Sequence, residues 1–200
     1  MKVKIVVFLK APRPGFVKTR LASSLDNVEA CRAYTRLAHY FLDTLSPYPD
    51  VELRFAPDDA QQEILPFMKS PQWTMKTQGD GDLGQRMSRA MQESLPDADG
   101  VLIFGTDCPY IETDDVDTAI EALKSSDVVL GPAADGGYWM VGLRHHEPSL
   151  FKDIAWSTNQ VLDQSRKRIQ SLGLLCRELR ELEDVDDIAS WQMAEDFWEK

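Results

Sequence analysis

Residues 101–109 of the chain read VLIFGTDCP, and this stretch is the strongest indication of the fold. Four apolar residues are followed by glycine, threonine and then Asp107, directly before a Cys-Pro turn. Such a run is typical of a buried parallel strand that ends at the sheet edge where open α/β sheets bind their ligands. A carboxylate at that edge is suited to holding a divalent metal ion. The stretch therefore predicts an α/β fold with a site around Asp107.

The rest of the chain alternates short β-rich runs with amphipathic helical patterns. Candidate strands are residues 2–9, 51–55, 73–77, 101–105, 127–131 and 174–179. Candidate helices are residues 27–45, 58–68, 82–95 and 114–125. A further helix is predicted to start at a capping box of Ser157 and Gln160 and to run to near Leu172, and a last helix ends near Trp198. This alternation predicts a three-layer α/β/α sandwich with a mostly parallel central sheet.

Composition narrows the class of protein. A chain of 200 residues with 43% hydrophobic content predicts a single domain over 1–200, and no apolar run approaches the roughly 18 residues of a membrane helix. The three cysteines have no C-x-x-C spacing, which favours a reducing cytoplasm over a disulfide framework or a zinc cluster. The net charge of −11 argues against nucleic-acid binding, whereas small anionic substrates stay open if a metal and local cations neutralise them.

A basic loop directly follows the first predicted strand. It carries Pro14 and Gly15, which shape the backbone, and then Lys18 and Arg20 beside the C-terminal end of the strand. Neither the Walker A spacing nor the dinucleotide G-x-G-x-x-G pattern is present, which disfavours ordinary P-loop ATPases and Rossmann dehydrogenases. The loop is a candidate for binding a diphosphate or triphosphate, and the alternative is a solvated basic loop.

A glycine-rich segment, QGDGDLGQR at residues 78–86, follows the third predicted strand. Its glycines, among them Gly79 and Gly84, allow the backbone to approach a planar base or ribose, with Gln78 and Arg86 beside it. The spacing does not match an EF-hand loop. The alternative interpretation is a turn followed by a helix N-cap.

Asp107 is the first candidate for a catalytic metal ligand, because hard oxygen ligands suit Mg²⁺ or Mn²⁺. Its alternative role is an Asx-type turn that closes the strand. Covalent catalysis by the neighbouring Cys108 is disfavoured, since none of the three histidines is tied to it by a recognisable pattern.

The segment PAADGGYWMVGL at residues 132–143 predicts an acceptor pocket. Asp135 is the candidate base, Gly136 and Gly137 permit close approach, and Tyr138 offers a flat apolar surface. The alternative is a β-turn with an aromatic strand behind it, in which Trp139 belongs to the core.

Two later segments add candidates. Trp156 is a candidate for closing the acceptor pocket. In the acidic run at residues 184–187, Asp186 is a candidate second metal ligand, although an acidic entrance to the last helix also explains this run.

Taken together, APRPGFVKTRL, QGDGDLGQRM, GTDCP, PAADGGYWMVGL, IAWST and the late DVDD resemble one known family. They are similar to the bacterial glycosyltransferase-A-like family of radical-SAM/selenodomain-associated transferases, in the nucleotide-diphospho-sugar transferase superfamily. Molybdenum-cofactor and phospholactate guanylyltransferases are more distant relatives. The similarity spans nearly the whole chain, and it implies a glycosyltransferase-A-like sheet.

The resemblance also implies roles for individual residues. It implies nucleotide phosphates near Lys18 and Arg20, the base near residues 78–84, and a metal at Asp107 that is shared with Asp186. The chain departs from the family pattern at Asp187, where D-V-D-T is usual, and at Trp139, where tyrosine is commoner.

These observations favour metal-dependent transfer from a nucleotide-activated donor to a small-molecule acceptor. The leading hypothesis is glycosyl transfer from a nucleoside-diphosphate sugar, with Lys18, Asp107 and Asp135 as catalytic residues and Mg²⁺ or Mn²⁺ as cofactor. The alternative is nucleotidyl transfer that releases pyrophosphate from a nucleoside triphosphate. A third hypothesis is a nucleotide-binding protein without catalysis.

Overall fold

The computed structural model describes residues 1–198, and its centre is a seven-stranded sheet in the order β3-β2-β1-β4-β6-β5-β7. The strands are β1 (Val3–Lys10), β2 (Val51–Ala56), β3 (Thr74–Thr77), β4 (Gly100–Phe104), β5 (Val128–Pro132), β6 (Tyr138–Leu143) and β7 (Cys176–Glu178). Strand β6 runs antiparallel to both of its neighbours, β4 and β5, while every other pairing in the sheet is parallel.

The helices cover both faces of the sheet. They are α1 (Asn27–Thr44), α2 (Gln61–Ile64), α3 (Leu83–Ser94), α4 (Thr113–Ala122), α5 (Val161–Ser171) and α6 (Ile188–Trp198). Apolar side chains of α1, α2 and α4 pack on one face, and those of α3 and α5 pack on the other. The predicted three-layer sandwich with a mostly parallel sheet is therefore confirmed.

The alternation of side chains along β1 shows how both layers are held. Ile5, Val7 and Leu9 lie in the cluster under α1, whereas Val6 and Phe8 lie in the cluster under α3 and α5. A strand buried on both faces carries a continuous apolar run, as β1 and β4 do. The two central parallel strands therefore fix where the loops at their C-terminal ends lie.

A third cluster joins α6 to the outer side of α1. Leu21, Leu37, Val185 and Trp191 are buried in it, and the guanidinium of Arg36 lies 4.5 Å from the ring centroid of Trp198. The cation over the ring adds electrostatic attraction to the apolar contact. This packing fixes the segment that leads into α6.

The sequence predictions for the other elements agree with the structure except at three places. Helix α2 is short and passes into a 3₁₀ turn at Leu65–Phe67, because Pro66 interrupts the helical hydrogen bonds. Strand β6 was not among the predicted strands, although the alternative interpretation of its segment placed an aromatic strand there.

The third difference is the capping box that was predicted at Ser157. Helix α5 begins after Gln160 and has no side-chain cap, and Ser157 adopts a φ of 63°. The hydroxyl of Thr158 accepts from the Gln160 amide instead. Ser157 is therefore part of the preceding turn, and the prediction of its capping role is wrong.

None of the helices within residues 1–198 has the length and apolar character needed to cross a bilayer.

We expect Phe104→Ala to lower the free energy of unfolding by about 3–5 kcal/mol, because Phe104 is fully buried at the centre of the sheet. Phe16→Ala is the matched control, since the Phe16 side chain is 73% exposed, and it is expected to change stability by less than about 0.5 kcal/mol. Denaturant unfolding of both variants measures the difference. Equal costs at the two positions would contradict the core described above.

Candidate functional site

A cleft of about 860 Å³ opens at the C-terminal edge of the parallel strands. Its walls come from the loops after β1, β3, β4 and β5 and from two later segments, residues 156–161 and 184–186. The cleft lies where an open α/β sheet binds ligands, because loops from neighbouring parallel strands converge there.

Lys18 is the buried cation of the cleft. Its side chain is only 5% exposed, and its Nζ lies 2.6 Å from Oδ1 of Asp107 and 2.5 Å from the carbonyl oxygen of Val185. Its backbone has a φ of 46°, which is uncommon for a residue other than glycine. The loop after β1 is therefore bent so that this ammonium group points inward.

The other predicted residues of that loop have different positions. The guanidinium of Arg20 lines the cleft and pairs with Asp186, with 3.0 Å between Nη1 and Oδ2. Pro14 and Gly15 are not among the lining residues. Gly15 has a φ of 82°, which places it in the turn that brings Lys18 into the cleft.

Asp107 lies beyond the end of β4, and its side chain is half exposed to the cleft. Its carbonyl oxygen accepts a hydrogen bond from the Val185 amide at 2.9 Å. This contact ties the loop after β4 to the acidic segment before α6. The neighbouring Cys108 is buried, and burial raises the pKa of its thiol to about 12, which agrees with the expectation that it is not a nucleophile.

The acidic segment alternates its side chains between core and cleft. Val185 is fully buried between α1 and α6, while Asp184 and Asp186 on either side of it line the cleft. The chain just before this segment pairs with the end of β5: the Ala134 amide donates to the Leu182 carbonyl oxygen, and the Leu182 amide donates to the Pro132 carbonyl oxygen. This pairing brings Asp184 next to Asp135.

Three carboxylates converge at this point. Asp135, Asp184 and Asp186 each offer an oxygen within 4.8 Å of the other two. Burial, together with the charges of Asp135 and Asp186, raises the pKa of Asp184 to about 6. The sequence predicted Asp186 as a metal ligand and Asp135 as a base but missed Asp184. Its first metal candidate, Asp107, contacts Lys18 in this structure.

The D-G-G turn between β5 and β6 presents Asp135. The Asp135 carboxylate accepts from the Gly137 amide at 2.7 Å, and Gly137 also lines the cleft. Gly136 is not part of the cleft lining. A Cβ on this residue would lie 2.3 Å from the Asn159 carbonyl oxygen, so only glycine fits. Trp139 is buried in the core, as its alternative interpretation stated.

Two aromatic side chains form the wall next to this turn. Tyr138 and Trp156 lie edge to face, with 6.4 Å between their ring centroids, and both line the cleft. The indole of Trp156 lies against α3, where a Cβ on Gly84 would be 2.5 Å from Nε1. Gly84 is therefore required for packing and does not itself line the cleft.

Gln78 is committed to the fold. Its side chain is buried and donates from Nε2 to the carbonyl oxygens of Leu9 and Arg54, at 3.1 and 3.0 Å. Arg86 donates to Gln78 Oε1 and to the Gly81 carbonyl oxygen, and it lines the cleft. Gly79 does not line the cleft, and a Cβ there would lie 2.6 Å from the guanidinium of Arg89.

The geometry thus brings most of the predicted residues to one cleft. The predicted residues among its lining are Lys18, Arg20, Gln78, Arg86, Asp107, Asp135, Gly137, Tyr138, Trp156 and Asp186. Their roles in binding and catalysis stay predictions.

The fold is that of the nucleotide-diphospho-sugar transferases. A nucleotide-diphospho-sugar transferase structure from Desulfovibrio desulfuricans G20 is 31% identical to the chain, with a TM-score of 0.87 over 94% of this chain and 84% of that one. Residues 44–158 match the family described as "Uncharacterized protein conserved in bacteria (DUF2064)". The chain belongs to this family.

Two curated relatives are 2-phospho-L-lactate guanylyltransferases. The one from Methanothermobacter thermautotrophicus is 28% identical over 93% of this chain and 84% of its own length. The one from Methanopyrus kandleri is 31% identical over 62% of this chain and 56% of its own length. The match to the second relative thus spans little more than half of that protein.

We expect Gln78→Leu to lower the free energy of unfolding by about 2–4 kcal/mol, because two buried carbonyl groups lose their donor. Gln170→Leu, at an exposed position of α5, is the matched control. Chemical denaturation measures both. A loss confined to nucleotide binding, with unchanged stability, would contradict the structural role of Gln78.

We expect Asp184→Asn to stabilise the metal-free protein at pH 7.5 by roughly 1–3 kcal/mol. The pKa of Asp184 is raised to about 6 from an ordinary value of 3.8, so the folded state binds this proton more tightly than the unfolded state does. Wild-type stability therefore falls relative to the variant as pH rises from about 4 through 6, and the two proteins converge below pH 4. Unfolding in a chelator at several pH values measures this.

Asp58→Asn, at an exposed position outside the cleft, controls for the loss of one negative charge. If the free energies of unfolding of wild type and Asp184→Asn differed by a constant amount from pH 4 to 7.5, that result would contradict the raised pKa of Asp184 among the three carboxylates.

Proposed function

We propose that the protein transfers a nucleotidyl group from a nucleoside triphosphate to a small-molecule acceptor and releases pyrophosphate, in a reaction that needs Mg²⁺ or Mn²⁺. The observation that carries this proposal is the pairing of two cations with two carboxylates in one cleft, Lys18 with Asp107 and Arg20 with Asp186. Polyphosphate with its metal ion has complementary charges for both members of each pair.

Phosphate binding would exchange partners within these pairs. Lys18 and Arg20 turn from carboxylate oxygens to phosphate oxygens, and the released carboxylates become free for the metal ion. The Lys18 ammonium is buried, so its attraction to a phosphate is screened less than that of a surface lysine. We therefore propose Lys18 and Arg20 as the phosphate-binding residues.

The donor set of the cleft fits a hard divalent cation. Asp184 and Asp186 contribute oxygens within 4.8 Å of each other, and magnesium is usually bound by one or two carboxylates together with substrate phosphates. We propose these two residues as metal ligands, joined by Asp107 once Lys18 contacts the donor. The ion would supply charge stabilisation at the phosphates.

The chain's own residues would carry the remaining chemistry. Lys18 and Arg20 stabilise the negative charge that develops on the leaving pyrophosphate. Asp135 lies beside the two carboxylates proposed as metal ligands, on the turn between β5 and β6, and is our candidate base. Residues 78–86 supply the wall for the base of the nucleotide, and Arg86 is part of the cleft lining there.

The relatives favour nucleotidyl transfer over glycosyl transfer. Both curated relatives are guanylyltransferases by name, so GTP is the first donor to test. Glycosyl transfer from a nucleoside-diphosphate sugar is the second candidate, supported by the likeness to the Desulfovibrio desulfuricans structure. Both reactions use the same cations and carboxylates but break different bonds.

We further propose that residues 1–200 act as one domain in a reducing compartment. The three cysteines are free thiols, and two of them are buried. A role as a nucleotide-binding protein without catalysis is the outcome expected if a donor binds and no product forms.

The test begins with calorimetric titration of GTP, CTP, UTP, ATP and nucleoside-diphosphate sugars in the presence of Mn²⁺. Product analysis follows for each donor that binds. Pyrophosphate release from a triphosphate supports nucleotidyl transfer, whereas release of a nucleoside diphosphate from a sugar donor supports glycosyl transfer. We expect Lys18→Met to weaken donor binding at least tenfold, because the buried cation is lost.

Lys167→Met, at an exposed position of α5, is the matched control and should bind the donor as the wild type does. Asp184→Asn should lower Mn²⁺ affinity at least tenfold, which the paramagnetic resonance of free Mn²⁺ measures without any turnover. Metal-dependent turnover that persists in both Lys18→Met and Asp184→Asn would contradict the proposed site.

A further inference from the structure

The charges of the cleft are distributed unevenly between its walls. The basic lining residues come from the end of β1, from the loop after it and from α3; they are Lys10, Lys18, Arg20 and Arg86. The wall made of residues 133–139 and 156–159 contains no lysine, arginine or histidine. That wall instead carries Asp135, with Asp184 beside it.

The two glycine amides of the D-G-G turn are already paired within the turn. The Gly136 amide donates to the Ala133 carbonyl oxygen at 3.0 Å, and the Gly137 amide donates to the Asp135 carboxylate at 2.7 Å. A divalent ion held by Asp184 and Asp186, with Asp135 beside it, leaves these three carboxylates with a net negative charge, and the donor phosphates add more. A phosphorylated acceptor would therefore meet like charge on this wall, since the proposed function assigns the neighbouring cations Lys18 and Arg20 to the donor phosphates.

The same wall is suited to a neutral ligand with a flat carbon face. Tyr138 and Trp156 stand edge to face on it, and the Trp156 indole is half buried against α3. Next to Trp156 the polar side chains of the wall are neutral: Ser157 and Asn159 are exposed and line the cleft. Aromatic rings with neutral hydrogen-bonding groups around them bind molecules that carry both carbon faces and hydroxyl groups.

We infer that the acceptor is an uncharged, hydroxyl-bearing molecule with a flat carbon face, such as a sugar ring or cyclic polyol, bound against residues 135–138 and 156–159. This inference rests on the proposed function and adds the substrate class. It sets the chain apart from its curated relatives, whose names specify an acceptor that carries a phosphate.

The chemistry balances for a hydroxyl acceptor. The hydroxyl oxygen forms a bond to the α-phosphorus as the bond from that phosphorus to the pyrophosphate oxygen breaks, and pyrophosphate leaves with its electron pair. The hydroxyl proton passes to the Asp135 carboxylate. An ionised phosphate acceptor has no such proton to lose, whereas a hydroxyl needs the base that this wall provides.

The test uses the wild-type protein with Mn²⁺ and a donor already shown to bind. Pyrophosphate release is measured with matched pairs: methyl α-glucopyranoside and glucose 1-phosphate, myo-inositol and inositol 1-phosphate, and glycerol and glycerol 3-phosphate, with 2-phospho-L-lactate as a separate acceptor. We expect a neutral member to raise the rate at least tenfold over that with water alone, and its phosphorylated partner to be at least tenfold less effective.

A preference for the phosphorylated members or for 2-phospho-L-lactate would overturn the inference, and so would the absence of any effect of the neutral members. In both cases donor binding and slow hydrolysis would leave the proposed function standing. Failure of every donor to bind would contradict the proposed function itself.

A charge-gain variant tests the same wall independently of the acceptor's identity. Asn159→Lys places a cation at the exposed end of the wall, and Gln170→Lys adds the same charge outside the cleft. We expect Asn159→Lys alone to gain binding of glucose 1-phosphate in the donor-bound protein, at least tenfold tighter than wild type. Equal phosphate binding by wild type and Asn159→Lys would show that the wall already accepts anions.

Discussion

The arrangement of the cleft depends on one ammonium group. Lys18 Nζ joins Asp107, after β4, to the Val185 carbonyl, before α6, and the Val185 amide returns a hydrogen bond to the Asp107 carbonyl. Three segments that are far apart in the chain are fixed to one another by these contacts. Since charge-assisted hydrogen bonds are the stronger ones, the buried cation holds the acidic segment in the orientation that turns Asp184 and Asp186 toward the cleft.

This dependence explains what sequence could and could not predict. The strand before Asp107 was predictable, because a strand buried on both faces has an unbroken apolar run. The convergence of Lys18, Arg20 and Asp107 followed from the rule that parallel strands end at one edge. Asp184 was missed because its run also reads as an acidic helix entrance. That interpretation is correct for Asp187, which accepts from Ser190 N at the start of α6.

The role of each acidic residue in that run depends on long-range contacts. The partner of Val185 is Lys18, 167 positions earlier, and no local pattern reports such a contact. The same limit applies to the glycines. Gly84 and Gly79 were expected beside a ligand, because glycine allows close approach. In the structure the side chains that lie close to these two glycines are those of Trp156 and Arg89. A glycine in the sequence allows another group to lie close to the backbone at that position. It does not indicate whether that group is a ligand or a side chain.

Strand β6 has a further consequence for the dimensions of the cleft. It lies between β4 and β5 and contributes no carboxylate from its own body, yet it places β5, which leads into the turn that bears Asp135, two inter-strand steps from β4, which leads to Asp107. Neighbouring strands lie about 4.8 Å apart, so β4 and β5 are about 10 Å apart at the level of the sheet. The antiparallel strand β6 thus sets the width of the cleft through its backbone. Side-chain substitutions in the surrounding loops can therefore change the chemistry of the cleft without changing that width.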